Sequence, residues 1–207
     1  MVDAEKLIRC CVALAFFIHN ISYASETEES GVSGRPLSFI PYVRKNPCQK
    51  PDRQLAFSPP LQGTSDSGEG FPWRVLYGYC VAETGRLSVH QDWVVSYLDV
   101  TPRGDAPDDQ GVSIGTDFSV QWRHKQETSF TPYYELGLGL QYAAGAAFPA
   151  AGSRWMFTIN VGAGFLIPLN TKLQLNTAIR YLHLSNAGWL GENAGYDGFH
   201  MLIGIRW

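Results

Sequence analysis

Beyond residue 24 the chain lacks any apolar run long enough to form a membrane helix. If that part enters a membrane, it must do so as a closed barrel of strands. The chain also lacks a basic excess. Its 16 Lys and Arg are set against 19 Asp and Glu, a formal net charge of −3, so no nucleic-acid partner is expected. Cysteine is scarce, with 4 in 207 residues. Cys10 and Cys11 lie in the first apolar segment, and Arg9 before Cys10 is wrong for a lipoprotein-type cleavage site. Cys48 and Cys80 remain, and in an exported chain they either pair as a disulfide or stand as two thiols. Their spacing suggests no metal site, and no cofactor is expected.

The one apolar run is 7–24, LIRCCVALAFFIHNISYA, beside Lys6 and Arg9 and ending in small residues at Ser22 and Ala24. This pattern predicts a secretory signal peptide, 1–24, cleaved after Ala24. Asp3 and Glu5 dilute its positive start. A membrane anchor is the alternative, for which the run is short. Residues 25–72 are rich in Ser, Gly, Pro and charge, as in ETEESGVSG and SPPLQGTSDSGEG. They read as loop, with a first strand expected near Leu37–Val43.

From Trp73 onward, through 73–207, the sequence alternates with period two. In 112–122, Val112, Ile114, Thr116, Phe118, Val120 and Trp122 alternate with Ser113, Gly115, Asp117, Ser119 and Gln121. Tyr134, Leu136, Leu138, Leu140 and Tyr142 likewise oppose Glu135, Gly137, Gly139 and Gln141. A third run, 155–167, sets Trp155, Phe157, Ile159, Val161, Ala163, Phe165 and Ile167 against Met156, Thr158, Asn160, Gly162 and Gly164. A soluble sandwich also alternates, with its apolar side inward. Here the strands are long and the aromatics gather at strand ends, as in the girdles of outer-membrane barrels. The last residues, FHMLIGIRW, alternate and stop on an aromatic. The expected fold is therefore all-β, an eight-stranded antiparallel transmembrane up-and-down β-barrel, apolar face to lipid. Seven strands are read at 73–83, 88–99, 112–123, 133–143, 154–167, 172–185 and 196–207, with the eighth near 36–44 despite Pro36 and Pro41. The short connection 168–171 against the longer 143–153 and 186–196 puts Trp207 on the periplasmic side and 186–196 outside.

The chemistry-bearing segment is 178–198, AIRYLHLSNAGWLGENAGYDG. His183 and Ser185 are two apart on a strand and share a face. That face also carries Tyr181, Ile179 and Thr177, whereas Arg180, Asn176, Gln174 and Lys172 make the lumen set. Asp197 falls on the outward face of the last strand with Phe199 and Met201. Polar groups turned to lipid are costly without partners, which points to function. Ser185 suits a nucleophile, His183 a general base and Asp197 the group that orients the ring. Asn186 and the backbone N–H groups of Ala187 and Gly188 suit an oxyanion site. Spacing alone leaves other readings open. Ser185 and Asn186 also fit simple turn hydrogen bonding, and His183 fits an interfacial strand-edge histidine.

HLSNAG followed by N-A-G-Y-D resembles the PagL-type lipid A 3-O-deacylase family, which carries H-x-S-N-A on its penultimate strand and a carboxylate opening the last. His183, Ser185, Asn186, Asn193 and Gly195 match, and PYYELGLGLQY and FTINVGAGF look family-like. The resemblance covers 130–207 well, 73–129 loosely and 25–72 not at all. It implies a serine esterase of the Gram-negative outer membrane that removes the 3-O-linked acyl chain of lipid A, with lipopolysaccharide as substrate and no metal or cofactor. Trp189, Leu190 and Tyr196 would line the entrance. Best-known members carry glutamate where this chain has Asp197, one methylene shorter, and Glu192 is a nearby alternative carboxylate. A homodimer is compatible with the sequence. The competing readings are a non-enzymatic small barrel for adhesion, integrity or binding, and a hydrolase of phospholipid or another acyl ester.

Overall fold

The computed structural model describes residue 48 and residues 52–65, 68–102, 109–124, 129–144, 153–189 and 195–207. The expected signal peptide and the expected strand near 36–44 lie outside these residues. Among the described residues there are ten strands: β1 (Arg53–Ser58), β2 (Pro60–Ser65), β3 (Gly68–Gly70), β4 (Trp73–Thr84), β5 (Leu87–Pro102), β6 (Asp109–Arg123), β7 (Thr131–Ala144), β8 (Trp155–Pro168), β9 (Gln174–Ser185) and β10 (Tyr196–Arg206).

All pairings are antiparallel. From β4 to β10 each strand pairs with the next, so the chain winds steadily round one sheet. β1 and β2 form one stave broken at Pro59, and β3 and β4 form another broken at Phe71 and Pro72, so ten strands make eight staves. The sheet closes where β10 pairs with β1, Gln54 opposite Arg206, and with β2, Asp197 opposite Thr64. Closure leaves no sheet edge, which is what lets strands cross a bilayer.

The first stave thus lies at 53–65, inside the stretch read as loop from sequence. Gln54, Ala56 and Ser58 face in while Leu55 and Phe57 face out. The alternation is short and stops at Pro59, which has no N–H to give the ladder. Its carbonyl accepts the Met201 N–H (3.1 Å) beside a register shift at Phe199 and His200. Proline is tolerated at such an irregularity.

The seven strands expected from Trp73 onward all form, with the faces expected. Bulky apolar side chains such as Val75, Trp93, Ile114, Leu136, Val161 and Ile203 are exposed on the outside. The inside is polar and bonded. Arg74 pairs with Asp117 (2.7 Å), which also accepts from Thr158 Oγ1 (2.7 Å). Arg180 grips Glu135 with Nε and with Nη2 (2.9 Å). Arg206 donates to Gln121 (2.9 Å), Gln54 to Asp92 (2.6 Å) and Tyr133 to Asn176 (2.8 Å). This inversion of a soluble protein's layering is the arrangement of a membrane barrel. The charges are offset within the lumen, as a buried ion requires.

Among the described residues, two apolar clusters interrupt this polar lumen, one of them towards the end remote from Trp207. Leu98, Ala143, Met156, Leu182, Leu184 and Tyr196 pack into one buried cluster. Tyr196 is fully buried, and its hydroxyl bonds His200 Nε2 (3.0 Å). The ring lies over glycines. A Cβ on Gly63 would come within 2.1 Å of the Tyr196 hydroxyl oxygen, and one on Gly198 within 1.9 Å. Gly63→Ala should therefore overpack the lumen and lower stability by about 1–3 kcal/mol, read from the urea midpoint of unfolding in detergent or vesicles.

Cys48 and Cys80 are joined as a disulfide, their Cα atoms 6.1 Å apart. It ties the chain ahead of β1 to the Trp207 end of the barrel, where Asp52 and Arg53 N–H groups donate to the Trp207 carbonyl (3.2 and 3.1 Å).

Candidate active site

β9 and β10 lie side by side with Asp197 opposite His183 and Phe199 opposite Tyr181. Leu182 and Leu184 point inward into the apolar cluster and fix the phase of β9. His183 and Ser185 must then point outward, because neighbouring residues of a strand take opposite faces. Asp197 follows in the same way from the inward Tyr196. Tyr196, expected at the entrance, is instead a lumen residue, since alternation cannot place both it and Asp197 outside.

Three side chains meet on that outer face. His183 Nε2 lies 2.9 Å from Ser185 Oγ. His183 Nδ1 lies 2.8 Å from Asp197 Oδ1. The aspartate reaches the ring because the two residues are direct Cα partners across the ladder, so the missing methylene is not needed. Exposure grades along the chain of contacts. Ser185 is 3% exposed, the His183 side chain 17% and that of Asp197 50%. Glu192, the alternative carboxylate, lies outside the described residues, as do Asn193 and Leu190.

The turn after Ser185 is unusual. Ala187 has φ 56 and Gly188 φ 75. Left-handed backbone at a residue with a Cβ costs about 1–2 kcal/mol. Buried Asn186 offsets this. Its Oδ1 accepts the Gly188 N–H (2.8 Å), and its carbonyl accepts the Trp189 N–H (3.1 Å). The chain thereby reverses beside the serine within a few residues. Gly188, expected to offer an open N–H, spends that donor on Asn186.

On the β8 side the surface is apolar. Phe157 is the Cα partner of Ser185, and Ile159 and Val161 are the partners of His183 and Tyr181. Exposed Trp189 meets Phe157 edge to face at 5.4 Å. On the β10 side it is polar, with Thr64 opposite Asp197 and Gln62 opposite Phe199. An ester with a long acyl chain could lie with its chain over β8 and its polar part towards β10.

Sequence reading missed one participant. Tyr181 donates its hydroxyl to Asp197 Oδ1. The available signal was its place on the His183–Ser185 face, two residues earlier. Among the described residues, Cys48, Cys80 and Glu83 alone cluster as a metal site would, and those two sulfurs are bonded to each other.

The family model for lipid A 3-O-deacylase (PagL) matches residues 60–206. No curated protein matches the chain at a significant level. Among solved structures, the outer-membrane enzyme PagL is 18% identical with TM-score 0.51, covering 73% of this chain and 97% of that one. Neisserial surface protein A is 15% identical with TM-score 0.53, covering 76% and 96%. These two likenesses speak for the fold, an outer-membrane barrel. They do not choose between enzyme and surface protein, since one of each is found. The family match covers most of the chain, including every residue of the outward Ser–His–Asp group, and by it this chain belongs to the lipid A 3-O-deacylase family.

Proposed function

We propose that the protein is an outer-membrane serine esterase that removes the 3-O-linked acyl chain of lipid A, with Ser185 as nucleophile, His183 as general base and Asp197 as orienting carboxylate. The observation that carries this reading is the continuous contact from Ser185 Oγ through His183 to Asp197 on the lipid side of the barrel. A purely structural wall there would be apolar, as most of that face is.

The contacts of His183 with Ser185 and Asp197 support these roles. Asp197 accepts the Nδ1 proton and so leaves Nε2 as the free base towards Ser185. Ser185 Oγ attacks the ester carbonyl as its proton passes to His183 Nε2. The imidazolium is stabilised by the Asp197 charge. The oxyanion is assigned to the Asn186 side-chain amide and the Ala187 N–H, while Gly188 holds the amide in place. His183 then returns its proton to the departing sugar oxygen, leaving acyl-Ser185, and water activated by the same base releases the fatty acid. The inner side of the site is sealed by Leu182, Leu184 and Tyr196. Substrate therefore arrives laterally from the outer leaflet, which agrees with the site lying at the end remote from Trp207. Activity should fall by about 10²–10³ in Asn186→Ala, read as kcat, because one oxyanion donor is lost.

The test is purified protein in mixed micelles offered lipid A or phospholipid, with released fatty acid followed by mass spectrometry. Release of one 3-hydroxy fatty acid from lipid A supports the reading. Release from phospholipid alone would replace it with a phospholipase, and release from neither would favour a plain barrel.

A further inference from the structure

A carboxylate that is half exposed on a lipid-facing wall is poorly held by one contact. Asp197 has two rotatable side-chain bonds, and the His183 Nδ1 contact alone leaves the carboxylate free to turn about it. A second donor meets the same oxygen. Tyr181 gives its hydroxyl proton to Asp197 Oδ1. Its ring is itself fixed, packing edge to face on Phe199 with centroids 5.6 Å apart and planes at 62°. Phe199 is both the Cα partner of Tyr181 and the next outward residue after Asp197. The tyrosine thus reaches its diagonal neighbour, a span suited to a long aromatic side chain.

From this geometry, and resting on the esterase reading above, we infer that Tyr181 is a positioning residue. It locks the Asp197 carboxylate in the orientation that holds the His183 ring towards Ser185. It touches no reacting atom. Two effects oppose each other. Sharing Oδ1 between two donors weakens its pull on the imidazolium, whereas fixing the carboxylate keeps it from turning out to water. Orientation dominates, because a correctly placed base is worth more than a modest change in its electrostatic partner.

The test is a double-mutant cycle on the full-length purified protein with lipid A. Tyr181→Phe keeps the ring and its Phe199 contact and removes only the hydroxyl. It is expected to lower kcat about tenfold with KM unchanged, as befits one hydrogen bond to a charged acceptor. In the Asp197→Asn background the same change should cost less than about twofold, because its effect passes through Asp197. An unchanged kcat, or a full tenfold loss that persists with Asp197→Asn, overturns the inference. Labelling of Ser185 by a fluorophosphonate separates it from the substrate assignment. If lipid A is not cleaved but Tyr181→Phe slows labelling, the substrate assignment falls and the positioning role stands. If lipid A is cleaved and labelling is as fast as in the unaltered protein, the positioning role falls. Absence of both cleavage and labelling removes both.

Discussion

Ser185→Ala is expected to lower deacylation by about four to six orders of magnitude while the barrel still folds. Both halves of that expectation have a structural basis. The side chain contributes one hydroxyl to one contact, with His183 Nε2. Alanine fits the same space, and the backbone ladder with Phe157 on β8 does not depend on the side chain. Any residual rate would come from water attack at an ester still held beside Asn186 and His183. Asp197→Asn should lose about 10⁴-fold by a different route, since an amide can stabilise the wrong imidazole tautomer. The two variants differ in a second readout. Fluorophosphonate labelling vanishes in the first, whereas the second labels slowly at the same serine. A folded Ser185→Ala protein with undiminished activity would remove the nucleophile assignment.

Glu135→Ala should destabilise the barrel by about 3–5 kcal/mol, read as a fall in the urea midpoint or a loss of the folded band in unheated gel electrophoresis. Glu135 and Arg180 are both buried in the lumen, with side-chain exposures of 0% and 3%. Glu135 also accepts from Gln121 Nε2 (3.1 Å). Truncating it strands a buried guanidinium without its carboxylate partner. The cost is that of the orphaned charge more than of the lost attraction. Replacing both partners with apolar residues, Glu135→Met with Arg180→Leu, should recover most of the loss. A single-variant loss below about 1 kcal/mol would mean that water enters the lumen freely and solvates Arg180.

Ser185 and Arg180, the partner of Glu135, lie on opposite faces of one strand, β9, and the sequence made both faces legible for the same reason. Alternation assigns Arg180 inward and His183 outward without any knowledge of the partner strands. It sufficed for β6, β7 and β8, where glycines and small polar residues mark the lumen. It failed at 53–65. There Pro59 and Pro60 interrupt the pattern, and the register shift at Phe199 and His200 leaves Leu61 and Gln62 both exposed. No period-two count survives two such breaks. Tyr196 is a different kind of miss. Its aromatic character suggested an entrance, but the outward Asp197 dictates an inward neighbour, and the space for it comes from Gly63 and Gly198 across the ladder. Only the register reveals that pairing of glycines.

The site was legible in part. His183 and Ser185 are carried by one strand, so period two suffices to bring them together. Asp197 needed the β9–β10 register, which places it directly opposite His183. Tyr181 was visible as a face residue yet invisible as a donor, because its partner lies on the diagonal of the adjacent strand. The turn proposed to hold the oxyanion was visible at Asn186–Gly188, but not its left-handed backbone at Ala187 and Gly188, which alanine does not advertise in a sequence.

The central claim is that the outward Ser185 group cleaves lipid A in the outer leaflet. Its most direct test is the mass spectrum of lipid A extracted from Gram-negative cells expressing the protein or its Ser185→Ala form. Lipid A lighter by one 3-hydroxyacyl chain at the 3-position is expected with the unaltered protein, and intact lipid A with the variant. Intact lipid A in both, with each protein folded in the outer membrane, would contradict it.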